Sequence, residues 1–130
     1  MNGDRLLDLC FTGPDLPLVR VRLSMTLTRV GLPEPTLGSF VHAVLEVVSN
    51  AVVHGGGQGW LIARAVNGEV RCEVTDRGPG PAAITLHTPN GGRGLMLAKA
   101  LAGRLDVRPG PENRGTTVAL AASLNGSSGH

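Results

Sequence analysis

A chain of 130 residues, 42% of them hydrophobic, has the material for one domain around one core and too much of it for wholesale disorder. Only 2% of residues are aromatic and the formal net charge is +2, with no basic run and no interleaved aromatics on which bases could stack, which argues against a nucleic-acid binder. Asp4, Arg5 and Asp8 interrupt the N-terminus, unlike a secretory signal, and no apolar stretch approaches the ~20 residues that span a bilayer, so a cytoplasmic protein is expected.

Leu7, Leu9 and Phe11 alternate with other residues and predict a first strand, ended by Gly13-Pro14. Asp15 is placed to cap a helix with Pro17 in its first turn, where proline is tolerated. Leu16, Val19, Leu23, Thr26 and Val30 keep a helical period until Gly31. After the linker Leu32-Pro33-Glu34-Pro35, Thr36 opens a longer helix with Phe40, Val44, Val47, Val48 and Ala51 along one stripe, closed by Gly55-Gly56-Gly57. Trp60 to Val66 and Glu69 to Thr75 read as strands joined by Asn67-Gly68, a strong hairpin signal. A loop rich in Pro, Thr and Gly follows from Gly78 to Gly92, then a helix from Gly94 to Ala102. Leu105 to Arg108 and Thr116 to Ala122 complete the strands. The order β-α-α-β-β-α-β-β predicts an α/β (α+β) two-layer sandwich, a mixed but mostly antiparallel sheet with helices on one face. The domain is expected over residues 1–122, with 123–130 a polar flexible tail. Cys10 and Cys72, far apart in apolar segments, are expected to be two buried small hydrophobes.

Four segments carry chemistry. Glu46 and Asn50 are four apart, so they share a helix face, and a carboxylate with an amide oxygen there can hold Mg²⁺ or a water against phosphates. Alone, the pair is more often a solvated face or an internal capping contact. Asp76 ends a clean strand, and Gly78 and Gly80 let backbone approach a ligand; the carboxylate can accept a hydrogen bond from an exocyclic amine such as that of adenine. Alone, it is equally a turn. Gly91-Gly92-Arg93-Gly94 opens an apolar helix, whose unpaired amides and dipole favour an anion, although no Walker A sequence is present. Gly115-Thr116-Thr117 opens the last strand, where a hydroxyl can reach a base if the strand lies beside Asp76.

Together and in this order, the segments resemble the GHKL superfamily of ATP-binding domains, and within it the small anti-sigma factor serine kinases of the RsbW type. Glu46-Val-Val-Ser-Asn50-Ala-Val-Val-His54-Gly is similar to the family's N box, Asp76-Arg-Gly78-Pro-Gly80 to its G1 box, Gly92-Arg-Gly94-Leu95 to its G2 box, and Gly115-Thr116-Thr117 to its terminal threonine box. The resemblance covers roughly residues 5 to 122. It implies a Bergerat fold with ATP between helices and sheet, and the cofactors ATP and Mg²⁺. It implies that Asn50 ligates the metal, that Asp76 recognises the adenine amine with Thr117 helping through water, that Gly78 and Gly80 shape the base pocket, and that Gly92, Arg93, Gly94 and Leu95 line the phosphates. Glu46 would be the general base, and His54 would flank the nucleotide. Two features depart from the pattern: Val53 stands where many members carry a basic residue, and the loop from Gly80 to Gly92 lacks Asp, Glu, Lys and Arg. The implied function is a serine/threonine protein kinase and anti-sigma factor, working as a homodimer on a sigma factor and on an antagonist with a STAS-like fold, with no direct contact to nucleic acid or membrane. The alternative is a nucleotide-binding module that switches partners with little transfer.

Overall fold

The computed structural model describes residues 4–78, 104–111 and 114–124. The predicted helix from Gly94 to Ala102 and the loop before it lie outside the described residues. Strand β1 (Asp4–Thr12) leads through a 3-10 turn, Gly13–Asp15, into α1 (Leu16–Arg29). Asp15 does not cap α1. Its Oδ2 turns back to accept from Thr12 N at 2.8 Å and Thr12 Oγ1 at 3.0 Å, which closes the 3-10 turn instead. Gly31, at φ +94°, ends α1 in a Schellman motif: its amide donates to Thr28 O and the Leu32 amide to Leu27 O, both at 3.1 Å. Leu32 and Leu27 both join the core. Helix α2 (Thr36–His54) is capped by Glu34, whose Oε1 accepts from Gly38 N at 2.9 Å.

Strands β2 (Gln58–Val66) and β3 (Glu69–Asp76) form a hairpin. Asn67 at φ 52° and Gly68 at φ 79° both take the left-handed conformation that a two-residue type I′ turn requires. With β4 (Arg104–Pro109) and β5 (Thr116–Ser123) they build a sheet in the order β1-β2-β3-β5-β4, every pairing antiparallel among the described residues. The mixed sheet expected from the element order is therefore antiparallel throughout this range: each neighbour is reached by reversal, including β5, which enters between β3 and β4. Strand β5 continues through Ser123, which pairs with Glu69, and the Leu124 amide donates to Gly68 O at 2.8 Å, so the ordered fold reaches into the segment expected to be tail.

Alternation along the strands decides which side chains meet the helices. Leu7, Phe11, Leu61, Ala63, Val70, Cys72, Val74, Val118 and Leu120 face inward and meet Val19, Leu23 and Leu27 of α1 and the Phe40–Ala51 stripe of α2. Helix α2 packs on β2, β3 and β5, and α1 on α2 and β1. At 19 residues, with a mean hydropathy of 1.5, α2 is long and apolar enough to cross a bilayer, contrary to the expectation that no such stretch exists. Its apolarity has another use here, as the helix that covers the sheet. The cysteines also differ from expectation. Cys72 is buried, and burial pushes its thiol up to about 12. Cys10 is exposed, because Leu7, Leu9 and Phe11 take the inward positions of β1 and leave Cys10 beside Asp8 on the outer face.

Candidate functional site

Three chain segments converge on the last residue of β3. Asp76 points inward and is 5% exposed. Its Oδ1 accepts from Gly78 N at 2.8 Å, and the backbone N–H of Thr116 donates to the same carboxylate. Burial raises the Asp76 carboxyl above the ordinary aspartate value, and the two N–H groups pull it back down. A charged group is thus kept at a site that penalises charge, a common mark of function.

Thr116 lies directly across the ladder from Asp76. It is 1% exposed, and its Oγ1 is a buried polar atom with no hydrogen-bond partner among the described residues. Thr117 is placed differently from what the resemblance implied. It alternates to the outer face, where its hydroxyl meets that of Thr75 at 3.1 Å, both on the side away from Asp76. Of the two threonines, Thr116 is the one beside the carboxylate. Strand register makes that choice, and two consecutive threonines carry no internal signal of it.

Glycines allow the convergence. Gly55, the C-cap of α2, has no room for a side chain: a Cβ there would lie 2.6 Å from both Ala51 O and Asp76 Oδ2. A Cβ on Gly78 would lie 2.8 Å from His54 O. Gly115, at φ +67°, lets β5 start against the Asp76 backbone, where any side chain would collide with its carbonyl. The end of α2, the turn after β3 and the start of β5 therefore meet around one carboxylate. The residues alone left Thr116 and Thr117 both open, and only the resemblance chose Thr117. Gly55 reads in the sequence as a helix stop and as the last residue of the N-box match, with no role of its own.

Along α2, Glu46, Asn50 and His54 follow at intervals of four, on one side of the helix. Asn50 is 9% exposed, while Glu46 is half-buried and meets His42 Nε2 through Oε2 at 3.6 Å. Helical rise puts Asn50 about 7 Å before Gly55, the contact point with Asp76. His54 closes α2 with its backbone carbonyl against Gly78; its side chain is partly exposed. Gly80, Gly92, Arg93, Gly94 and Leu95 lie outside the described residues. A cleft of about 470 Å³ also touches Asp76 and Arg77, but it is lined by Cys10, Trp60 and Thr75 and opens at the outer rim of the sheet, away from α2. Its position does not match the α2 side chains, and the inward-facing arrangement is the candidate site.

A buried carboxylate beside a buried hydroxyl, both against the sheet, suits a planar ring that presents an amine to the first and an acceptor or a bridging water to the second. An adenine edge has both. The unpartnered Thr116 Oγ1 is the observation that fits this ligand, since an unsatisfied buried hydroxyl costs about 1–3 kcal/mol until something bonds it.

Comparison with known proteins bears on the family and the fold. The model of the histidine kinase-like ATPase domain matches residues 14–122. The chain is similar to the structure of the RsbU and RsbW domains of Rv1364c from Mycobacterium tuberculosis, at 28% identity and a TM-score of 0.66, over 90% of this chain and 32% of that one. It shares its fold with the blue-light activated histidine kinase of Erythrobacter litoralis, at 21% identity and a TM-score of 0.61 over 83% of this chain and 43% of that one. The separate histidine kinase domain of that protein gives 21%, 0.59, 82% and 61%. The chain thus spans between about a third and three fifths of these structures. Since the family's domain model spans most of its length, this chain belongs to the histidine kinase-like ATPase family.

Proposed function

We propose that this chain binds Mg²⁺-ATP and transfers its γ-phosphoryl group to a serine or threonine of an antagonist protein with a STAS-like fold, and that it sequesters a sigma factor, as a homodimer in the cytoplasm. The observation that carries the reading is the Asp76 carboxylate held buried opposite the unpartnered Thr116 hydroxyl. The similarity to a structure containing an RsbW domain supports the regulatory side of it. Partner proteins would find apolar surface on α1, where Leu18, Val21 and Met25 are each about half exposed.

Asp76 and Thr116 hold the base and so fix where the phosphates lie. Among the described residues, no three His, Cys, Asp or Glu side chains come together as a metal set. Asn50 would hold Mg²⁺ together with phosphate oxygens, the usual arrangement for this ion, and the metal would neutralise charge on them. Glu46, on the same helix side, would take the proton from the attacking hydroxyl, with His42 steadying its carboxylate. Phosphoryl transfer needs mostly positioning and charge balance, so one well-placed carboxylate on the acceptor side is sufficient.

A second reading, a nucleotide-gated module with little transfer, is favoured by Val53. It is 67% exposed in the last turn of α2, where a basic residue would reach toward phosphates, and it brings no charge. Transfer of γ-phosphate to a STAS-like antagonist separates the two. The kinase reading expects Glu46→Gln to bind ATP normally and to lose transfer by about 10²–10⁴-fold. It expects Asn50→Ala to lose Mg²⁺-dependent binding. Normal transfer by Glu46→Gln would remove the base assignment, and no transfer by the unmodified chain would leave the module.

A further inference from the structure

The outer face of the sheet, opposite the nucleotide site, carries a charge pattern that the function above does not use. Strand register aligns it. Arg5 lies across from Arg64, Arg64 across from Arg71, and Arg71 and Arg104 both across from Ala121. Four arginines therefore stand in one transverse row over β1, β2, β3 and β4, with a small residue in the gap on β5. The outer two are neutralised: Arg5 Nη1 reaches Asp8 Oδ2 at 2.9 Å, and Arg104 Nη2 reaches Glu69 Oε1 at 2.7 Å. Arg64 and Arg71 face each other with no carboxylate partner among the described residues. Like charges directly opposite in a ladder destabilise it.

We propose that this face is a docking surface for an acidic helix of a partner protein, with Arg64 and Arg71 as its central contacts. The argument for that occupant is complementarity of charge and spacing. Neighbouring strands are about 4.8 Å apart. Carboxylates three or four apart on a helix are about 5–6 Å apart. A helix laid along the row thus presents one carboxylate per strand, and about 13 residues cover the ~19 Å from β1 to β4. A trough of about 140 Å³ opens over Ala119 and Ala121, with Arg71 and Arg104 at one end and Glu73, Asp106 and Arg108 at the other, and its arginine end accepts a side chain. Ile62 and Val66, half-buried beside Arg64 on β2, give apolar floor. Duplex nucleic acid fits less well. One side-chain pair further along, about 7 Å away, runs a carboxylate row of Asp8, Glu73 and Asp106 in the same transverse register. A single acidic helix edge avoids that row, and a duplex about twice as wide lies over it.

The test is fluorescence anisotropy at low salt, without nucleotide, using a labelled helical peptide of about 16 residues with glutamates three and four apart on one side. A same-composition peptide with its glutamates spread around the helix and a duplex DNA of about 16 base pairs run in parallel. The striped peptide is expected to bind at least about tenfold tighter than the scrambled one. Arg64→Gln/Arg71→Gln is expected to remove about tenfold of that affinity, and Arg64→Lys/Arg71→Lys to keep most of it. The glutamine pair is also expected to melt no lower than wild type, because it relieves like-charge repulsion. Equal binding of both peptides, an unchanged affinity in the glutamine pair, or a clear loss of its melting temperature would overturn the proposal. DNA binding tighter than the striped peptide would overturn it in favour of a nucleic-acid surface.

Discussion

Asp76 is held in a state it resists, and that tension yields two predictions. Its folded-state carboxyl value is raised, mainly by burial. A raised acid contributes most to the stability of the empty protein at pH below its unfolded value, and that contribution is lost as pH rises through the folded value. Above it the carboxylate is kept charged at a cost, which an amine donor offsets. ATP affinity should therefore weaken as pH falls from 7 into the raised range of Asp76, and the pH dependence of the wild type relative to Asp76→Asn isolates this group. Calorimetry across that range checks it; parallel curves for the two proteins would contradict it. The threonines give a cleaner contrast. Thr116→Val replaces an unpartnered buried hydroxyl by a methyl, so it should leave folding stability unchanged or raised by about 1 kcal/mol while weakening ATP binding several-fold. Thr117→Val removes only the contact to Thr75 on the other face and should leave ATP affinity unchanged. Urea titration with ATP calorimetry on both variants tests this; a loss of affinity in Thr117→Val instead would restore the threonine expected from the motif.

At the scale of elements, the end of α2 is set by contact with β3. Gly55→Ala would force its Cβ to within 2.6 Å of Ala51 O and of Asp76 Oδ2, so the end of α2 or the Asp76 side chain must move. The expected cost is about 1–3 kcal/mol by urea denaturation, with ATP affinity reduced as well. Ala at Gly56, where no atom lies within 4 Å, meets no clash and is strained only by its φ of +93°. A Gly55→Ala variant with wild-type ATP affinity would show that α2 does not position the carboxylate. Most elements were legible in the sequence, because alternation and helical period are local: β1, α1, α2 and the Asn67-Gly68 hairpin all follow from residues within a few positions of one another. The positions of Glu46 and Asn50 on one side of α2, and of Asp76 and Gly78 at the end of β3, follow for the same reason, since each pair sits in a short run. What the sequence did not disclose depends on register between distant strands. The inward choice of Thr116, the outward choice of Cys10, the arginine row and the antiparallel entry of β5 between β3 and β4 are all of this kind. Gly55 belongs there too, because its reason is a carboxylate 21 positions away in the chain.

For the whole molecule, the architecture separates two surfaces. One face of the sheet is closed by α1 and α2 around a core rich in Leu and Val, and its rim at Asp76 is the proposed nucleotide site. The other face is charged and open. A ligand that binds only the folded chain stabilises it by mass action, about 2.7 kcal/mol at a hundredfold excess over Kd. Mg²⁺-ATP should therefore raise the melting temperature by several degrees, and the rise should be smaller in Asp76→Asn and in Thr116→Val, as differential scanning measurements would show. The same linkage makes base selectivity the sharpest probe of the site, because guanine presents a carbonyl where adenine presents the amine from which Asp76 is proposed to accept. Isothermal titration of wild type and Asp76→Asn with ATP and with GTP, in magnesium, is the deciding measurement. The wild type should bind ATP and prefer it to GTP by about tenfold or more, and Asp76→Asn should lose that preference. Equal affinity for ATP and GTP in both proteins, or no binding of ATP at millimolar concentration, would contradict the assignment of this site.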